Sequence, residues 1–96
     1  MQGRRRLVLK MDEKIDFLLR LSNPLEIWKT PFDEIAVALR GCEIKKDGFL
    51  ISDFGRGKSI REAVDDYLKK ISGKTLVFNA TSGSRREVTT VMFHAD

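Results

Sequence analysis

Between Ser59 and Gly73, the residues Ile60, Ala63, Val64, Tyr67, Leu68 and Ile71 recur at the period of an α-helix. Such a helix buries one stripe, so the rest of the chain has to supply the surface that covers it. Both of its ends are marked. Ser59 and Glu62 have capping-box spacing, in which the serine accepts from the Glu62 amide and the carboxylate reaches back. Gly73 supplies the stop. The neighbouring runs have strand character. Asp47-Gly48 sits between "CEIKK" and "FLISD", a pair suited to the tightest hairpin turns, so strands are expected at about 42–46 and 49–53. "TLVFNA" and "EVTTVMF" flank the glycine-containing loop "TSGSRR" and read as a second hairpin.

The earlier part of the chain reads as helical. "DEKIDFLLRL" over 12–21 turns Ile15, Leu18 and Leu19, with Phe17 and Leu21, toward a core. Asn23-Pro24 breaks it. A second short helix is expected over 31–40. Thr30 serves as its N-cap, Pro31 sits at its first position, Asp33 lies in its first turn and Gly41 ends it. That helix would bury Phe32, Ile35, Ala38 and Leu39. Residues 1–10 read as a basic N-terminal arm, frayed or added as an edge strand. Residues 11–96 read as a single small α+β domain, a mostly antiparallel sheet with helices packed on one face. A chain of 96 residues suits one core.

Composition narrows the chemistry. Cys42 is the lone cysteine and His94 the lone histidine, so neither an internal disulfide nor a structural zinc site is expected. His94 has no acid or thiol partner close in sequence and reads as a surface residue. No apolar run reaches the roughly 18 residues that a membrane span needs. The basic start "MQGRRRLVLK" lacks a secretory core, so a cytoplasmic protein with no membrane partner is expected. The net charge of +4 favours anionic partners. Residues 1–10 carry Arg4, Arg5, Arg6 and Lys10, and without them the balance falls to zero.

The motif "SDFGRGKS", Ser52 to Ser59, raises the sharpest functional question. Gly57-Lys58-Ser59 matches the end of a P-loop, whose amides cradle phosphates. Ser52 stands where the first glycine belongs, and "TLVFNA" offers Asn79 where a magnesium-binding acid is needed. A working NTPase is therefore not expected, and Ser59 is better explained as a helix cap. A weaker reading keeps Phe54–Lys58 as a glycine-rich loop seating one phosphate on free amides, beside Arg56 and Lys58. Its bland counterpart is that Gly55 and Gly57 only permit a tight turn. Arg85 and Arg86 are a second candidate clamp for phosphate, or ordinary charges on a hairpin edge. Phe54 and Trp28 either stack on a base or anchor the core. Asp65 and Asp66 read as solvent-facing. No catalytic constellation emerges.

From Phe49 to Glu87 the chain carries Gly55, Gly57, Ala63, Asp66-Tyr67, Ile71, Gly73-Lys74, Leu76-Val77 and Arg85-Arg86-Glu87. In that pattern it resembles small proteins of phages and prophages of Gram-positive hosts, with the Thoeris anti-defence sponges as the nearest functional association. Those sponges sequester cyclic ADP-ribose isomers made as immune signals. The resemblance implies binding without catalysis, no cofactor, sites built between protomers of a homo-oligomer, and the host cytoplasm as location. It further implies Arg85 or Arg86 on a pyrophosphate and Phe54 on adenine. The expected function is thus an anti-defence protein that sequesters a nucleotide signal, through Phe54, Gly55, Arg56, Gly57, Lys58, Arg85 and Arg86. Two alternatives stay open: a small inhibitor of a host or defence protein, anti-CRISPR-like, or a nucleic-acid-binding module. The latter rests on a generic similarity in topology to HicB-like antitoxins, with the Arg4–Arg6 arm as its contact.

Overall fold

The computed structural model describes residues 7–8, 10–21, 23–90 and 93–94, with side chains for 10–21 and 23–90. The elements follow in the order β1 (Leu7–Val8), α1 (Met11–Arg20), β2 (Leu25–Lys29), β3 (Ile35–Leu39), β4 (Cys42–Lys46), β5 (Phe49–Ile51), β6 (Gly55–Gly57), α2 (Ile60–Ile71), β7 (Thr75–Phe78), β8 (Arg86–Thr89) and β9 (Phe93–His94). Two antiparallel sheets carry the fold, β2-β3-β6 and β5-β4-β7-β8, and β1 pairs with β9 in parallel. The α+β expectation holds. The side chain of His94 and the Arg4–Arg6 run lie outside the described residues.

Helix α2 forms where its punctuation places it. The Ser59 hydroxyl accepts from the Glu62 amide at 3.2 Å, while the Glu62 carboxylate takes the Lys58 amide at 2.8 Å, one residue before the cap. Its stripe of Ala63, Val64, Tyr67, Leu68 and Ile71 is buried. One hydrophobic cluster joins that stripe to Val37 and Leu39 of β3, Ile44 of β4, Leu76 and Phe78 of β7, and Leu18 of α1. The hairpin turn at Asp47-Gly48 also forms as expected, with φ of 51° and 84°, so both residues take the left-handed conformation that this turn requires.

The helix expected over 31–40 is a β-hairpin. Strands β2 and β3 pair from Leu25↔Leu39 to Lys29↔Ile35. Thr30 does cap, but it caps a turn: its hydroxyl accepts from the amides of Phe32 and Glu34, and Asp33 takes φ 60°. Phe32 is 78% exposed at the tip rather than buried. The spacing of Ile35, Ala38 and Leu39 was ambiguous because β3 is covered on both faces. Val37 and Leu39 enter the cluster under α2, whereas Ala36, fully buried, faces the other way. A strand hidden on both sides shows a continuous apolar run, which periodicity cannot tell from a helix. In α1, Leu18 is buried as expected, but Leu19 is 60% exposed.

The segment 54–58 is not a free loop. Residues 55–57 form β6, paired with β3 as Val37↔Gly55, Ala36↔Arg56 and Ile35↔Gly57. Helix α2 rests on this strand. A Cβ at Gly55 would fall well under 3.0 Å from the Ala63 carbonyl oxygen and the Tyr67 backbone nitrogen. At Gly57 it would strike the Glu62 Cβ. The glycines therefore serve the close approach of helix to strand. Asp65 and Asp66 are likewise not solvent-facing ornaments. Asp65 receives the buried Lys14 of α1 at 2.6 Å, which clamps the two helices. Asp66 binds the Arg56 amide at 3.0 Å and Lys70 at 3.0 Å.

Gly55→Ala is expected to destabilise the fold by about 3 kcal/mol or more, because the obstructing atoms are backbone and cannot rotate away. Gly83→Ala, with nothing within 4 Å of its added Cβ, should stay within about 0.5 kcal/mol of the parent. Urea unfolding of the two variants compares them directly, and a tolerated Gly55→Ala would contradict this packing.

Candidate functional site

Strand β3 ends at Leu39 and β4 begins at Cys42, yet the two belong to different sheets. The chain crosses between them in the two residues Arg40 and Gly41. Where the sheets part, a cleft of about 660 Å³ opens. Its first wall is the face of β2-β3-β6 turned away from α2. Strand alternation and register put Trp28, Ala36 and Arg56 in one cross-strand row on that face, with Glu26 and Ala38 in the next. The Phe54 ring lies 5.7 Å from the Trp28 ring, tilted by 50°. Small residues at 36 and 38 leave room for these two aromatics to lie against the sheet.

The opposite wall comes from the start of β4, the linker before β6 and the turn after β7. Cys42, Glu43, Asp53 and Asn79 line the cleft from this side. Asn79 is held by its amide on the Gly41 carbonyl at 3.0 Å and by the Asn23 side chain at 3.2 Å. Glu26 pairs with Arg40 at 2.9 Å. Asp53 lies 3.6 Å from Lys70, whose ammonium also donates to the Phe54 carbonyl at 2.8 Å and stands 5.8 Å from the centre of the Phe54 ring. Lys70 thus fixes the linker that carries Phe54. Among the described residues Glu43 has no ion pair.

Beneath the cleft, β6 ends opposite Val37, so Leu39 has no strand partner on that side. The Tyr67 hydroxyl accepts from the Leu39 amide at 3.1 Å and fills the gap. It also hydrogen-bonds the Cys42 thiol. Burial raises the Cys42 thiol above its ordinary 9.0, against the opposing pull of the Tyr67 hydrogen bond. Burial, then the neighbouring Cys42, raises the Tyr67 hydroxyl above its ordinary 10.0. Both groups are neutral hydrogen-bonding partners near neutral pH.

The seven candidate residues are not gathered in one place. Phe54 lines the cleft. Gly55 and Gly57 lie under α2, and the amides of Arg56 and Lys58 are taken by Asp66 and Glu62. The phosphate seat expected on free amides is therefore filled by the protein's own carboxylates. The Arg56 side chain still shares a row with Trp28. Arg85 binds Glu87 at 3.2 Å, and Arg86 lies over the Phe78 ring at 4.8 Å, on the far sheet and outside the cleft. Glu26, Arg40, Glu43 and Asn79 were missed. Strand alternation through "LEIWK" would have put Glu26 and Trp28 on one face, once that segment was read as a strand. No group of three or more metal-ligating residues occurs among the described residues, and no helix among them is long and apolar enough to cross a membrane. The chain matches no protein-family model, no curated protein and no solved structure.

Stability should fall in alkali. The folded state holds the Cys42 and Tyr67 protons to higher pH than the unfolded chain does, so unfolding releases them and is favoured as pH rises. Below an unfolded thiol value near 9.0 both groups are protonated in both states and add no pH dependence. Urea midpoints should be level to about pH 8.5, fall beyond 9 and steepen beyond 10, each group adding up to about 1.4 kcal/mol per pH unit. Cys42→Ala should remove the first part of that fall. A parent protein equally stable at about pH 8 and pH 11 would contradict the assignment.

Proposed function

We propose that the protein binds a nucleotide-type small molecule in this cleft and holds it without chemical change. The observation that carries the reading is the Trp28–Phe54 pair, an aromatic platform beside a cleft of about 660 Å³. That volume falls within the roughly 300–1,000 Å³ typical of small-molecule sites. A base stacks on an aromatic face with about 1–3 kcal/mol. Three cations stand by the platform: Lys70 at the Phe54 ring, already shared with Asp53 and Asp66, Arg40 at its end, and Arg56 in the Trp28 row. Arg40 is shared with Glu26, so Arg56, which has no carboxylate partner among the described residues, is the better phosphate ligand. The resemblance of Phe49–Glu87 to phage proteins supports a role in sequestering a nucleotide immune signal in the host cytoplasm, as a homo-oligomer. Within this reading Phe54 stacks on the base, whichever purine it is, and Arg56 meets the phosphate, while Arg85 and Arg86 reach a ligand only if a second copy brings them to it.

A second reading has its own observation. Phe32 and Phe49 stand at the turns of two hairpins and are 78% and 72% exposed. Exposed phenylalanines at rigid hairpin tips suit insertion into a partner protein, as an inhibitor would require.

Trp28 is the sole tryptophan, so its fluorescence reports on the cleft. Titration with cyclic and linear mononucleotides should quench it saturably, and the nucleotide should be recovered unaltered by mass spectrometry. Arg56→Glu and Phe54→Ala should each weaken binding roughly tenfold or more. No quenching by any nucleotide, with a host protein co-purifying in a Phe32-dependent manner, would replace this reading with the second.

A further inference from the structure

The charge inside the cleft bears on which nucleotide it takes, given the nucleotide reading above. Glu26 is neutralised by Arg40 at 2.9 Å and Asp53 shares Lys70 at 3.6 Å. Glu43, partly buried and lining the same cleft as Trp28, has no ion-pair partner among the described residues. A carboxylate that lines a cleft without a cation of its own is open to hydrogen-bond donors of a ligand. It also repels a phosphate, which disfavours phosphate beside it. A ligand with its ring on Trp28 is then favoured with its base edge toward Glu43 and its phosphate toward Arg56.

We infer that the cleft selects a guanine-type base, read at its edge by the Glu43 carboxylate. Guanine presents a ring N–H and an exocyclic amino group side by side. Those two donors match the two oxygens of one carboxylate, a charge-assisted and bidentate pairing. Adenine presents a ring nitrogen lone pair beside its amino group, and that lone pair would oppose the carboxylate. The same site therefore discriminates by attraction to one purine and repulsion of the other. The sequence alone hides this residue, because Glu43 in "CEIKK" looks like an ordinary polar position of a hairpin strand. The crossing at Arg40–Gly41 is what brings it into the cleft that Trp28 and Phe54 also line.

The experiment is a Trp28 fluorescence titration with GMP, AMP and IMP, the last lacking the exocyclic amino group, on the parent and on Glu43→Gln. GMP should bind the parent roughly tenfold or more tighter than AMP, as expected for hydrogen bonds to a charged group, with IMP between them. In Glu43→Gln the preference should collapse while AMP binding is retained or improved. Equal affinities for GMP and AMP in the parent would overturn the inference and leave the nucleotide reading standing. So would a preference that survives Glu43→Gln. Absence of binding by all three would overturn the inference, and the wider titration with cyclic and linear nucleotides then decides the nucleotide reading on its own.

Discussion

The backbone of α2 approaches β6 more closely than any pair of side-chain-bearing residues would permit, because Gly55 and Gly57 present no Cβ to it. Several other contacts depend on that approach. It brings the Tyr67 hydroxyl to the Leu39 amide, where the short strand β6 has run out. It sets Asp66 on the Arg56 amide and Glu62 on the Lys58 amide. It also presses the buried stripe of α2 against residues of both sheets, so one helix joins β3 to β4 and β7 through a shared core. The face of β2-β3-β6 left uncovered by α2 is then free to carry Trp28 and Phe54.

This arrangement explains why a phosphate-loop motif can arise without a phosphate loop. Glycine, lysine and serine before a helix serve two physical ends. In one, glycines free the amides to meet an anion. Here the glycines admit a helix, and the Lys58 and Arg56 amides meet the carboxylates of Glu62 and Asp66; Glu62, in the first turn of α2, also supplies the negative charge that a helix start favours. The motif is the same at the level of letters, and the carboxylates three and seven residues after Ser59 separate the cases. Glu62 was visible in the sequence as a capping residue; its reach to the Lys58 amide was not.

What could be read from the sequence was what local geometry decides. Asp47-Gly48, the Ser59 cap and the stripe of α2 each depend on residues within a turn or two of one another, and each is found as read. The hairpin of 25–39 could not be read, because Thr30-Pro31 and Gly41 punctuate a helix and a turn alike. The choice was made by α2, more than 20 residues further on, covering one face of β3, and by Trp28 and Phe54 sharing the other. The site followed the same pattern. Phe54 was a candidate beside a conspicuous motif and lines the cleft, whereas Glu26, Arg40 and Glu43 become candidates only through the parting of two sheets at Arg40–Gly41. Arg85 and Arg86 looked like a clamp as neighbours, but one is tied to Glu87 and the other covers Phe78.

The central claim is that the anion seat before α2 is occupied by the protein's own carboxylates. Amide chemical shifts measured during titration with inorganic phosphate test it most directly. The amides of Arg56, Lys58 and Glu62 should keep their positions, because Asp66, Glu62 and Ser59 already accept from them. Saturable movement of the Arg56 and Lys58 amides would contradict it, and would return the glycine motif to service as a phosphate loop.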